Sequence, residues 1–163
     1  MLLDSIHPEE RSRFLLARPG DLAAAEDMLR RHLAWRAATL PLAAGAPRIG
    51  DGLPPLLTML ERDSISGKRV LLMTAAMFDH KLASMEVYIS AVAAYIDASL
   101  ERTSDEKLTV VIDSRGGRGW ANPKPWTMLP FIRASSRILS DNFPERCGRA
   151  LPPPPPPRTP WPL

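Results

Sequence analysis

The sequence has only one cysteine among its 163 residues, Cys147, so it cannot form an internal disulfide. We therefore expect a protein of a reducing compartment. No apolar stretch approaches the roughly 20 residues that cross a bilayer. Met1-Leu2-Leu3 is followed at once by Asp4 instead of the apolar segment of a signal peptide. These absences predict a cytoplasmic protein that contacts membranes, if at all, at their periphery and transiently.

A dense basic surface is also missing. The net charge is only +3, and the basic residues are scattered and mostly near acids. The segment Arg115-Gly116-Gly117-Arg118-Gly119 resembles an isolated RNA-contacting element. A single element of this kind is more often a flexible loop, so we predict no nucleic-acid partner.

Residue patterns of catalysis and metal binding are absent as well. His7, His32 and His80 do not have the spacing of metal ligands. Asp113 stands before the glycine-rich segment, but that segment lacks the spacing of a dinucleotide-binding loop and the lysine of a phosphate-binding loop. No Ser-His-Asp or Cys-His pair suggests a nucleophile. The sequence predicts no enzyme activity, no catalytic residue, no metal site and no cofactor.

What is present is a pattern of helices followed by short apolar strands. Pro8 and Asp21 mark the starts of two helices, the second reaching about residue 38. Continuous apolar runs at 69–73 and 108–112 predict adjacent parallel strands. The apolar spacing from Leu82 to Leu100, with Asp79 as its cap, predicts a long helix that connects them across residues 82–102. We expect a short helical turn at 56–61 and a last helix before Asp141 that Pro130 either starts or kinks.

These elements predict an α/β fold with an incomplete parallel sheet, built on a strand–helix–strand unit and flanked by helices. We divide the chain into an N-terminal helical subdomain at 8–40, a connector at 41–66, and a partial ligand-binding domain at 67–151. A proline-rich disordered tail follows at 152–163. The segment from Asp141 to Leu151 is typical of the approach to a buried strand, which the prolines beyond it cannot continue.

Four segments carry a resemblance to a known family. Arg13-Phe14-Leu15-Leu16-Ala17-Arg18 leads to a helix that ends in Trp35-Arg36. Residues 68–79 and Val110-Val111-Ile112-Asp113 follow as two strands, the second ending in an aspartate. Then comes Phe143-Pro144-Glu145-Arg146. In this order and spacing they resemble the CRAL-TRIO lipid-transfer family across about residues 11–150, whereas the first segment alone also suits an unrelated helical hairpin.

The resemblance implies a protein that binds and transfers one phospholipid, such as phosphatidylinositol, or another small hydrophobic molecule. In the family, acyl chains lie over the floor of a sheet and a mobile helix gates entry. The family's head-group residues lie beyond the segment that matches residue 151, so none can be named here. Leu108 and Val110 stand on the strand where some members place polar choline-contacting side chains, and here they are apolar. We therefore expect a truncated or impaired form that binds weakly.

The tail offers an alternative function. Pro153, Pro156 and Arg158 have the spacing of ligands for proline-reading domains of the Src-homology 3 or WW type. The chain would then be a non-enzymatic interaction protein that presents a polyproline ligand. A disordered tail without a partner, or a shifted reading frame, explains the same residues.

Overall fold

The computed structural model describes residues 2–62, 65–113 and 123–151. It has a mixed α/β architecture, with helices first and a four-stranded, mostly parallel sheet after them. The predicted fold class is confirmed. No helix in these described ranges is both long and apolar enough to cross a membrane.

The N-terminal part is a pair of helices, α1 (Pro8–Ala17) and α2 (Leu22–Thr39), preceded by a 3-10 turn at Leu2–Ser5. The Asp21 carboxylate accepts a hydrogen bond from the Ala24 amide at 2.9 Å, so it caps α2 as predicted. The two helices and the turn bury a small apolar cluster of their own: Leu3, Phe14, Ala25, Met28 and Leu29.

Three short strands occupy the range that we predicted to be a connector. Strands β1 (Arg48–Ile49) and β2 (Gly52–Leu53) pair with each other. Strand β3 (Leu57–Arg62) runs antiparallel to β4 (Arg69–Thr74). The helical turn predicted at 56–61 is wrong, because hydrogen bonding to β4 outweighs the helical preference of its Leu, Met and Glu residues.

The central unit is strand β4, helix α3 (Met85–Ser99) and strand β5 (Leu108–Asp113). Strands β4 and β5 are adjacent and parallel, with Leu71 opposite Val110. This confirms the strand–helix–strand prediction. The helix begins later than predicted, because the Ser84 hydroxyl, not the Asp79 carboxylate, accepts a hydrogen bond from the first turn, at Val87. Asp79 instead accepts from the Lys81 amide in the preceding turn.

Helix α4 (Pro125–Asn142) and strand β6 (Cys147–Leu151) complete the described fold. Pro130 lies inside α4 and does not start it. Strand β6 pairs with β5 in parallel, so the sheet order is β3-β4-β5-β6. The strand is exposed from Cys147 to Ala150 and half-buried only at Leu151. The expected buried strand is therefore an exposed edge of the described sheet.

The main core lies between one face of this sheet and helices α3 and α4. Leu57, Leu71 and Leu108 point into it from three strands. Phe78, Tyr88 and Phe131 fill its centre, with ring centroids 4.6 Å apart for Phe78 and Phe131. Among the described residues, the helices pack against this one face of the sheet.

Candidate functional site: a charged junction and an open sheet face

Most of the family-motif residues converge at one junction. Arg13 and Phe14 reach it from α1, Trp35 and Arg36 from α2, and Phe143, Pro144 and Arg146 from the turn between α4 and β6. Arg13 and Arg146 contact residues 101–106 of the loop between α3 and β5. The junction therefore joins the N-terminal helices to the sheet.

Two buried arginines hold this loop by its backbone. Arg13 donates to the carbonyl oxygens of Ser104 at 2.6 Å and Arg102 at 2.7 Å. Arg146 donates to the carbonyl oxygens of Glu101 and Glu106, the latter at 2.9 Å, and to the Ser104 hydroxyl at 3.2 Å. The guanidinium group suits this role because its donors form a rigid fork. Burial lowers the pKa of Arg13 to about 10 and also lowers the pKa of Arg146.

An ion pair and a buried histidine complete the junction. Glu10 accepts from Arg102 with both carboxylate oxygens, at 2.8 and 2.9 Å. His32 lies with Nδ1 at 3.3 Å from Asn142 Oδ1 and Nε2 at 3.8 Å from Glu10 Oε1. Burial lowers the pKa of His32, against the opposing effects of Asn142 and Glu10. The ring therefore stays neutral near neutral pH.

The remaining contacts are also structural. Arg36 forms a two-pronged ion pair with Asp97 of α3, with Nη2 2.8 Å from Oδ2. Trp35 packs edge-on against Phe143 with ring centroids 5.9 Å apart. The cavity at the junction measures about 20 Å³, which is space for about one water molecule and far below the volume of a lipid site. The contacts at the junction therefore position the chain, and the cavity there is too small for a lipid.

Two further motif residues stand apart from the charged centre. Glu145, in the left-handed backbone region at φ 61°, pairs its carboxylate with Lys107 at 2.8 Å. Asp113 ends β5 opposite Thr74, at the carboxyl edge of the sheet. The junction brings together Arg13, Phe14, Trp35, Arg36, Phe143, Pro144 and Arg146, but not Glu145 or Asp113.

The second face of the sheet carries mainly apolar side chains. Residues that alternate with the core-facing ones lie in rows across the strands. One row is Thr58, Leu72, Val111 and Leu151, and the next is Leu60, Val70, Thr109 and Arg149. None of these side chains belongs to either of the two apolar clusters formed by the described residues. Leu60 and Arg149 are exposed, Thr109 is buried, and the other five are half-buried. We call these two rows the open face.

The open face corrects one expectation from the sequence. Leu108 and Val110 pack into the core against the helices. Their apolar character therefore carries no information about a ligand. On β5 the open face presents Thr109 and Val111 instead, a difference that the two-residue period of a strand could have revealed.

A groove between α2, α3 and α4 is a second apolar surface. It has a volume of about 310 Å³ and is lined mainly by Trp35, Ile89, Ala93, Ala134 and Ile138. Glu86 and Arg137 also line it. It lies on the helices, outside the strands that form the open face.

Among the described residues, no group of three histidine, cysteine or acidic side chains could hold a metal ion. The glycine–arginine segment at 115–119 lies outside the described residues, and so do Pro153, Pro156 and Arg158 of the tail.

Comparisons with known proteins now add to this geometry. Residues 56–161, more than half of the chain, match the family described as the CRAL/TRIO domain. The match begins just before β3 and includes most of the proline-rich segment, which we expected to lie outside the resemblance. A search of curated proteins finds no match.

Proposed function

Because the chain belongs to the CRAL/TRIO domain family, we propose that it binds and transfers a phospholipid over the open face of its sheet. Family membership indicates binding of a lipid or another small hydrophobic molecule. The observation that carries the proposal is the apolar row of Leu72, Val111 and Leu151, which crosses three neighbouring strands and joins neither apolar cluster. An acyl chain laid along this row leaves water at about 0.8 kcal/mol per buried methylene.

The charge on the open face favours an anionic head group of the phosphatidylinositol type. Arg149 lies at the β6 edge of the second row, is exposed, and has no ion pair among the described residues. A guanidinium group binds phosphate through two parallel hydrogen bonds. Since Arg149 is the only basic side chain in the two rows, we expect weak binding and modest head-group selectivity.

Two variants distinguish the open face from the helical groove as the site of the ligand. Leu72→Arg places a charge in the middle of the apolar row, where its head can still reach water. Ile138→Arg places the same charge in the groove between the helices. Both positions are half-buried, so the two variants are matched in chemistry and in exposure.

The experiment is to purify the full chain and each variant, extract bound lipid and identify it by mass spectrometry. A fluorescent-lipid transfer assay between vesicles is run in parallel. We expect lipid and transfer with the native chain and with Ile138→Arg, and loss of both with Leu72→Arg. Equal lipid in Leu72→Arg and the native chain would refute the open face as the site. Loss in Ile138→Arg alone would assign the ligand to the groove.

The proline-rich tail supports a second candidate function, presentation of a polyproline ligand. Its basis is the spacing of Pro153, Pro156 and Arg158, since a preformed polyproline helix docks at low entropic cost. Peptides of residues 152–163 test it in a pull-down with Src-homology 3 and WW domains. Arg158→Glu should weaken capture, and equal capture of both peptides contradicts this function.

A further inference from the structure

Three large apolar side chains project from one end of the α/β unit. Leu82, in the turn before α3, is 59% exposed. Trp126 and Leu129, on successive turns of α4, are 69% and 45% exposed. Helices α3 and α4 both start at the carboxyl ends of parallel strands, β4 and β5, so their first turns share one edge of the sheet. We call Leu82, Trp126 and Leu129 the apolar edge.

The apolar edge stands on a rigid base. Phe78, Tyr88 and Phe131 pack together directly beneath it, with centroid distances of 4.6 to 6.1 Å. The Tyr88 hydroxyl donates to the Asp79 carbonyl at 2.9 Å and so ties the turn that carries Leu82 to α3. The aromatic contacts join this turn to α4. The exposed side chains are therefore held in place, which lowers the entropic cost of binding a partner.

The charges around the apolar edge are basic. His80, Lys81, Lys124 and Arg133 flank it and are all exposed. The segments 80–85 and 123–133 contain no carboxylate. Lys124 lies with Nζ 5.4 Å from the centroid of the Trp126 ring. Three acids stand close to this region along the chain or on the same edge: Asp79, whose carboxylate accepts from the Lys81 amide, Glu86 in the first turn of α3, and Asp113 at the end of β5.

We propose that the apolar edge docks the protein on an anionic lipid bilayer, a step that rests on the proposed lipid-transfer function. Tryptophan beside lysine suits the boundary between head groups and acyl chains, because the ring is amphipathic and the ammonium group stays in water. The flanking cations match the negative surface of a membrane that contains acidic lipids. A protein partner or a second copy of the chain would not require the exposed Lys81, Lys124 and Arg133, which form no ion pair with the other residues that the structure describes.

The test is sedimentation of the full chain with phosphatidylcholine vesicles, with and without phosphatidylserine. We expect binding mainly to the phosphatidylserine vesicles. Trp126→Ala should reduce the partition coefficient about ten-fold, by removing the main buried area. Lys124→Gln should reduce it about five-fold, and only on anionic vesicles. The matched control is Ile65→Ala, because Ile65 is 88% exposed in the turn between β3 and β4, at the opposite end of the sheet.

The outcomes separate this inference from the proposed function, because sedimentation reports docking whereas extraction reports the bound ligand. A native chain that carries lipid but does not sediment refutes the apolar edge and leaves the proposed function standing. Equal losses in Trp126→Ala and Ile65→Ala also refute it. Self-association that Trp126→Ala abolishes, without vesicle binding, would assign the edge to a second copy and overturn the proposal.

Discussion

Arg146→Met should destabilise the protein by about 3 kcal/mol. Its guanidinium donates to two carbonyl oxygens and one hydroxyl of the loop between α3 and β5. Each buried acceptor left without a donor costs about 1–3 kcal/mol. Relief of the desolvation that lowers the pKa of Arg146 offsets part of this loss. The apolar methionine fills much of the same volume, so the change removes hydrogen bonds more than packing.

Urea unfolding followed by circular dichroism measures this change, and calorimetry should show a fall in Tm of about 6–12 °C. Arg137→Met is the matched control, since its side chain is 85% exposed and pairs with Asp141 only across 3.7 Å. That variant should stay within about 0.5 kcal/mol of the native chain. If Arg146→Met costs less than about 1 kcal/mol, water satisfies the loop carbonyls, and the hydrogen bonds from Arg146 to the loop do not stabilise the fold.

Three further predictions concern the buried His32, the cap of α3 and the open face. Burial lowers the pKa of His32 below its ordinary 6.5. The unfolded chain therefore binds more protons just below that pH, and stability is lost as the pH falls through it. In urea unfolding between about pH 7.5 and about pH 5.5, the native chain should lose more stability than His32→Gln, and equal losses would contradict a buried neutral ring. Ser84→Ala should cost about 1 kcal/mol by uncapping α3, and a loss of helix in Asp79→Ala alone would contradict the assigned cap. The native chain should bind a hydrophobic dye at its open face or aggregate. Leu72→Arg should bind less dye than Ile138→Arg. A monodisperse chain that melts sharply and binds no dye would contradict an accessible apolar face.

The sequence predicted the central unit well, because its signals are local. The apolar runs of β4 and β5 and the helical spacing between them depend on neighbouring residues only. Asp21 likewise caps α2 through an amide three residues away. The β3 segment failed for the opposite reason. Its residues favour a helix, and pairing with β4 decides its conformation.

The sequence singled out several residues of the junction but could not give their contacts. Arg13, Trp35 and Arg146 stood out as family motifs, yet their contacts span large sequence separations. Arg146 reaches the carbonyl of Glu101, and Arg13 reaches that of Ser104. Local periodicity carries no information about such pairs. The two faces of β5 were readable from strand alternation, but only once the face covered by the helices was known.

The junction and the open face are connected through strand β5. The loop that Arg13 and Arg146 hold leads directly into β5, and the Leu108 amide donates to the Arg146 carbonyl at 2.7 Å. This bond starts β5 beside the turn that leads into β6, and Leu108 pairs with Cys147; after one irregularity in register, Val111 lies opposite Leu151. A shift of one residue would move every side chain of a strand to the other face. The motif residues Arg13 and Arg146 are therefore linked to the proposed open-face site through the loop and the start of β5, and they do not belong to either of its rows.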